Sequence, residues 1–237
     1  MTSPAPTLIY LVRHGQSVAN VEPIIGGMRG DAGLTKLGRE QARRLGERLR
    51  SEAIKVDALY ASTLPRAMQT AEYLAAALGL PINPDDELQE LRPGESDGMS
   101  WEAFLAKYGR PDFSNPHRPM SPGGESWAEL LLRVGRAMHR LRDAHTGQTV
   151  LAVTHGGFVD GCFYQFMGVG HTYGVGFRTA NTSITRWAYE FPDEDEPAER
   201  PARWVLLSYN DIAHVVDLAT VAEPAVPLPT EESKARS

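Results

Sequence analysis

Two segments of this chain, far apart in sequence, share one pattern, and that pattern confines the fold to a narrow class. Leu8 to Val12 is an unbroken apolar run that ends in Arg13-His14-Gly15, and Thr149 to Thr154 is a second that ends in His155-Gly156-Gly157. Short apolar runs bounded by turn residues read as buried strands. Strands buried on both faces belong to parallel sheets covered by helices. Two such strands in one parallel sheet direct their terminal histidines to the same edge, and the carboxyl edge of an open α/β sheet is where ligands bind.

The segments between them fit that class. Thr35 reads as a helix N-cap, followed by a helix with Leu37, Ala42, Leu45 and Leu49 on one face and mainly charged residues opposite. Val56 to Ala61 reads as a short strand, and Leu64 to Leu78 as an Ala-rich helix closed by Gly79 and Pro81. This alternation predicts right-handed crossovers and an α/β fold: three layers, α/β/α, around a mostly parallel central sheet. From Glu90 to about Ser126 the rhythm breaks, with Pro111, Pro116, Pro119 and Pro122 around one short helix near Trp101 to Tyr108. That stretch reads as a small lid insertion over about residues 92–125. A long helix over Ser126 to Ala144 and strands over Thr182 to Tyr189 and Arg203 to Tyr209 complete the pattern. The 237 residues divide into a single domain, 1–222, and a Pro-, Glu- and Ser-rich disordered tail, 223–237.

Composition excludes several function classes. The net charge of −6, with no basic stripe, argues against nucleic acid as a partner. The acidic run Asp193 to Glu196, bracketed by prolines, reads as a solvated loop rather than a metal site. The sole cysteine, Cys162, sits among apolar residues and is expected in the core. No apolar run reaches membrane-spanning length and the N-terminus lacks a secretory pattern, so a cytoplasmic protein without membrane contact is expected.

The polar residues at the strand ends suit an oxyanion. Arg13 and Arg66, the latter at the start of a helix that follows a strand, can clamp a phosphoryl group. His14 can attack phosphorus through an unprotonated nitrogen, and His155 can donate to the transferring oxygens. A leaving alkoxide needs a proton, for which Glu87, Glu90, Glu95 and Asp97 beside the lid are candidates. Glu125 reads as a structural acid at the start of the long helix; His117, His139, His145 and His171 read as surface or lid residues, and His214 as packing. Trp101, Tyr108, Phe113 and Trp127 either contact the leaving group or pack the lid, and the sequence leaves both readings open.

Arg13-His14-Gly15-Gln16-Ser17-x-x-Asn20 resembles the signature of the histidine phosphatase superfamily, the phosphoglycerate-mutase-like proteins. Six further segments resemble that family in the same order. They are Gly33-Leu34-Thr35-x-x-Gly38-x-x-Gln41-Ala42, Ser62-x-x-x-Arg66-Ala67-x-x-Thr70-Ala71, Leu88-Gln89-Glu90, Pro122 to Ser126, Val153 to Gly157, and the pair Asn181 to Thr185 with Asn210-Asp211-x-x-His214. The resemblance implies that His14 becomes a phosphohistidine, that Glu90 is the proton donor, and that Arg13, Asn20, Arg66 and His155 form the phosphate pocket. It implies neither metal nor cofactor for that step. Gly27, within the Gly26–Gly30 loop, and Gly156 are expected to approach the substrate as well, with the lid and Phe177-Arg178 shaping the leaving-group side. The chain departs from the family at Gly94-Glu95-Ser96-Asp97-Gly98, where relatives usually carry an aromatic residue and a glutamate, and Asp97 therefore stays open as a second acid.

In mutases of the family the segment between acid and second histidine is longer than Glu90 to His155 here, which points to hydrolysis of a small phosphomonoester metabolite. Mutase-type transfer and a noncatalytic phospholigand-binding module are the alternatives. Exposed lid aromatics permit a homodimer.

Overall fold

The computed structural model describes residues 5–112, 114–168, 176–192 and 201–218. Six strands form one sheet: β1 (Thr7–Arg13), β2 (Ala58–Ala61), β3 (Ile82–Pro84), β4 (Thr149–Thr154), β5 (Ile184–Glu190) and β6 (Arg203–Asp211), in the order β3-β2-β4-β1-β5-β6. The pairs β3–β2, β2–β4 and β4–β1 are parallel, whereas β5 runs antiparallel to β1 and β6 antiparallel to β5. Among the described residues six α-helices accompany them: α1 (Val18–Val21), α2 (Lys36–Ser51), α3 (Pro65–Leu78), α4 (Trp101–Tyr108), α5 (Trp127–Ala144) and α6 (Gly156–Met167).

Alternation along the strands assigns the layers. Ile9 and Leu11 of β1, with Val150 and Ala152 of β4, pack against Leu130, Val134 and Met138 of α5 and Val159 of α6. Val12, Leu151 and Val153 point the other way, onto Leu45 and Leu49 of α2 and Ala67, Ala71 and Leu74 of α3. Side chains that alternate across a strand therefore serve two cores, giving the three-layer α/β/α arrangement expected from the sequence. No helix among the described residues is long and apolar enough to cross a membrane.

Several boundaries differ from expectation. The strand expected from Val56 begins at Ala58, just after Asp57 joins Thr149 through its backbone N–H and its carboxylate. The edge strand β3 was not expected: it follows Pro81, has three residues and ends in Pro84, the kind of strand that tolerates a missing N–H. The strand expected from Thr182 begins at Ile184, since Thr182 sits in the left-handed region (φ 57°) with its N–H on the carbonyl of Arg13. α1 is a four-residue turn in which Asn20 Oδ1 accepts the N–H of Ser17 and the N–H of Asn20 donates to the Ser17 carbonyl. Phe113, His171, the Asp193–Glu196 run and the tail from 223 lie outside the described residues.

Candidate active site

Sheet register brings the two histidines together. Arg13 pairs with Thr154 across the parallel β1–β4 ladder, so His14 and His155 emerge side by side at the carboxyl edge. Their ring centroids lie 5.0 Å apart, and both side chains are buried. The neighbouring strand β2 ends one register step away and delivers Ser62, whose hydroxyl meets Nε2 of His155 at 2.8 Å. α3 then begins at Pro65, its rigid φ suited to the first helical turn, and presents Arg66.

His14 has a defined protonation pattern. Its Nδ1 lies 2.7 Å from the carbonyl of Gly15, an atom that can only accept, so the ring proton sits on Nδ1. Nε2 is left with its lone pair, toward which Nε of Arg66 donates at 3.0 Å. Burial, and then the cations Arg66 and Arg13, push the His14 imidazole well below its ordinary pKa, against a smaller upward pull from Gly15. Burial and the same arginines push His155 down as well, with His14 itself contributing. Both rings are thus neutral at pH 7. Nδ1 of His155 is buried and has no hydrogen-bond partner, a state that costs about 1–3 kcal/mol unless a ligand answers it.

The cations are held in place. Nη1 of Arg66 donates to the carbonyl of Gly26 (3.0 Å) and to Asp31 (2.9 Å), and Asp31 also accepts the backbone N–H of Arg66. The Asp31 side chain is fully buried. Arg13 donates through Nη1 to the carbonyl of Thr179. Asn20 uses its Oδ1 on the N–H of Ser17 and on Asn181, which leaves its N–H donors for the cavity it lines.

Of these groups Arg13, Asn20 and Arg66 line a cavity of about 400 Å³, with Glu90, Gly156 and, further out, lid residues, whereas His14 and His155 are not among its lining residues. Glu90 is fixed by two backbone donors, Leu91 N–H (2.9 Å) and Gly157 N–H (3.1 Å). The segment carrying it is gripped by Arg133 of α5, which reaches the carbonyls of Glu87, Gln89 and Glu90 and pairs with Glu125 at 2.6 Å. Glu125 is therefore a structural acid, as its position before Ser126 predicts.

The other acid candidates are engaged elsewhere. Glu87 pairs with Arg136 and Arg140. Glu95 accepts from Tyr108 and approaches Lys107. Asp97 accepts three backbone N–H groups, from Gly27, Arg29 and Gly30, and so anchors the glycine loop. This also corrects the expectation for Gly27. Its N–H is given to Asp97 and a side chain there would strike Asp97 and Pro93, so Gly26 is the loop residue that reaches the cavity.

Among the aromatics, Trp101 and Trp127 line the cavity, as does Phe177. Tyr108 instead bonds Glu95 and packs on Phe104. His214 lies away from it, between Thr182 and Arg48, its pKa lowered to about 4 chiefly by burial. His139 and His145 are bound to Trp204 and Tyr60, and His117 is exposed. Cys162 is buried in the core. No cluster of three His, Cys, Asp or Glu side chains in metal-binding reach occurs among the described residues.

Sequence reasoning missed Asp31, Ser62, Arg133 and Asn181 as supports of the site. Ser62 and Asn181 stood within quoted motifs without a role. Asp31 beside a glycine loop and Arg133 on an amphipathic helix carry no periodic signal, because both are buried by pairing rather than by apolarity.

Comparison with known proteins gives the family and the fold. A model of the histidine phosphatase superfamily (branch 1) matches residues 9–195. The chain is 31% identical over 217 residues to "Phosphoglycerate mutase-like protein 4" of Arabidopsis thaliana, covering 87% of this chain and 86% of that one. It is also 31% identical to "Probable phosphoglycerate mutase GpmB" of Salmonella choleraesuis, over 87% of this chain and 94% of the relative. Among solved structures it is similar to Bacillus stearothermophilus YhfR, with a TM-score of 0.75, 28% identity, and coverage of 88% and 99%. A mycobacterial glucosyl-3-phosphoglycerate phosphatase shares the fold, with a TM-score of 0.69, 22% identity, and coverage of 86% and 98%.

Proposed function

The chain belongs to the histidine phosphatase superfamily (branch 1), and on that premise we propose that it is a phosphomonoesterase that works through a phosphohistidine. The observation that carries the reading is the state of His14. A carbonyl pins its proton on Nδ1, and burial among cations keeps the ring neutral, so Nε2 holds a lone pair beside Arg66.

In the first half-reaction a phosphomonoester enters with its PO3 group against Arg13, Arg66, Asn20 and His155, and Arg66 turns its donor from His14 Nε2 to a phosphoryl oxygen. Nδ1 of His155 gains the partner it lacks. Nε2 of His14 attacks phosphorus, the P–O bond to the alcohol breaks, and Glu90 gives its proton to the leaving oxygen. In the second half-reaction Glu90, now a carboxylate, takes a proton from water; the water oxygen attacks phosphorus, the P–N bond breaks, and inorganic phosphate leaves. The two arginines neutralise equatorial charge in both steps, and no metal or cofactor has a part in this scheme.

Hydrolysis rather than retention of the phosphoryl group is supported by the covering segment, a lid with a single eight-residue helix, α4. The mutase names of the relatives at 31% identity favour the second reading, transfer between two hydroxyls. The decisive experiment is phosphate release from an aryl phosphate with rapid acid and alkaline quench. An acid-labile, alkali-stable phosphoenzyme and net phosphate release, both lost in His14→Ala, are expected. Interconversion of phosphoglycerates without net phosphate release establishes the mutase reading instead. Tight phosphate binding with no label at all establishes a binding module.

A further inference from the structure

Three of the four ring nitrogens of His14 and His155 have a hydrogen-bond partner, and the fourth, Nδ1 of His155, is buried without one. Burial and the neighbouring cations keep the His155 imidazole neutral, and a neutral imidazole carries a single N–H. The unpartnered atom is therefore either a donor or a bare lone pair. A donor attracts a phosphoryl oxygen, and a lone pair repels it.

The neighbour of Nε2 decides between them. Ser62 follows β2 directly, and its N–H is fixed on the carbonyl of Val153, so pairing of β2 with β4 sets where its side chain stands. Ser62 and His155 are both fully buried. The Ser62 hydroxyl has two partners, the backbone N–H of Leu64 at 3.4 Å and Nε2 of His155 at 2.8 Å. The first can only donate. Among the described residues the hydroxyl proton thus has one acceptor, Nε2 of His155, and a nitrogen that accepts carries no proton of its own. The reverse arrangement aims two N–H groups at one oxygen and strands the hydroxyl proton in the interior, which buried polar groups avoid.

His14 reaches the same tautomer by another route, through the carbonyl of Gly15. One tautomer then serves two opposite roles. His14 has its lone pair on Nε2, and His155, its ring 5.0 Å away, has its N–H on Nδ1.

We propose that Ser62 is a positioning residue that fixes the tautomer of His155, so that Nδ1–H is the group offered to a phosphoryl oxygen beside His14. Ser62 is not among the residues that line the cavity, and it acts through the ring of His155. The role of that N–H rests on the phosphomonoesterase reading, but the tautomer itself can be read without turnover.

The test is long-range proton–nitrogen NMR of the histidine rings in the isotope-labelled full chain, with His155 assigned by its absence in His155→Gln. The wild type is expected to show His155 with a protonated Nδ1 and a bare Nε2, with and without inorganic phosphate. Ser62→Ala is expected to mix the two tautomers and to lower kcat/KM for an aryl phosphate by about tenfold, the loss of one hydrogen bond. Ser62→Thr, which keeps the hydroxyl, is expected to restore both readouts. A proton on Nε2 in the wild type overturns the inference, whether or not the variants fold. Retention of the Nδ1–H tautomer in Ser62→Ala also overturns it, even where activity falls, because the loss is then one of packing. Unchanged turnover beside a mixed tautomer overturns it as well. Absence of phosphate release from any ester overturns the phosphatase reading instead, and inorganic phosphate affinity then replaces turnover. A mixed tautomer with about tenfold weaker phosphate binding in Ser62→Ala supports the inference, and equal affinities overturn it.

Discussion

Asp31 fixes the most heavily used side chain of the site without lining the cavity itself. With its side chain fully buried, it holds Arg66 through both the guanidinium and the backbone N–H, while Arg66 bridges to His14 and Gly26. Removing one partner of a buried ion pair strands the other, at a typical cost of about 3–5 kcal/mol. Asp31→Ala is therefore expected to lower stability in urea by that order. Asp31→Asn, which keeps an acceptor, is expected to lose less stability but to raise KM for phosphate esters as Arg66 loosens. Asp97 allows a sharper contrast. If it anchors the loop, as its three backbone partners imply, Asp97→Asn raises KM and leaves the pH profile of kcat in place. A fall in kcat with loss of the profile's alkaline limb shows instead that Asp97 supplies the proton. Both arginines and both histidines were legible in the sequence because each stands at a strand-to-helix junction, whereas Asn20 and the choice of Glu90 among the acids beside the lid came from the family resemblance. Their buried supports were not legible, since a charge buried by a partner looks in sequence like a charge in water.

At the scale of elements, the first turn of α2 is pressed against the segment that follows β1. A Cβ on Gly38 would stand 2.0 Å from the carbonyl oxygen of Gln16, and one on Gly15 would stand 2.5 Å from the carbonyl of Gly38. Backbone meets backbone there, so neither neighbour can yield by rotating a side chain. Alanine is the better helix former by ~1 kcal/mol, yet Gly38→Ala is expected to destabilise by ~3 kcal/mol or more, because the clash outweighs propensity. Gly168→Ala is the control. Gly168 closes α6 at φ 66° with no described residue within 4 Å of where a Cβ would stand, so the left-handed backbone penalty of ~1–2 kcal/mol is the expected cost. Urea midpoints of the two variants check the order. Helix α4 was read from the sequence with the boundaries it has, Trp101 to Tyr108, since Ser100 caps it and Gly109 ends it. The strand β3 was not, because three residues that end in a proline carry no period of their own.

The whole molecule carries buried imidazoles whose neutrality is part of the fold. His14 and His155 have folded pKa values well below 6.5, and that of His214 is lowered to about 4. In the unfolded chain each takes up a proton near pH 6.5, so below that point the unfolded state binds more protons than the folded one. Stability contributed by these groups is complete above pH 6.5 and falls as the pH drops through it, by up to ~1.4 kcal/mol per pH unit for each histidine. Urea titrations between pH 7.5 and 5 are expected to show that slope, reduced in His214→Gln; a flat profile rules the account out. Sequence alone determined the alternation of buried strands and amphipathic helices, hence the three layers, and it named the polar residues at the strand ends, because periodicity and punctuation are local properties of the chain. It had no means of deciding the order β3-β2-β4-β1-β5-β6, the 5.0 Å approach of the two histidine rings, or the burial of Asp31 and Arg133. Those depend on which strands pair and which opposite charges meet, and such choices are made between residues that the chain itself keeps far apart.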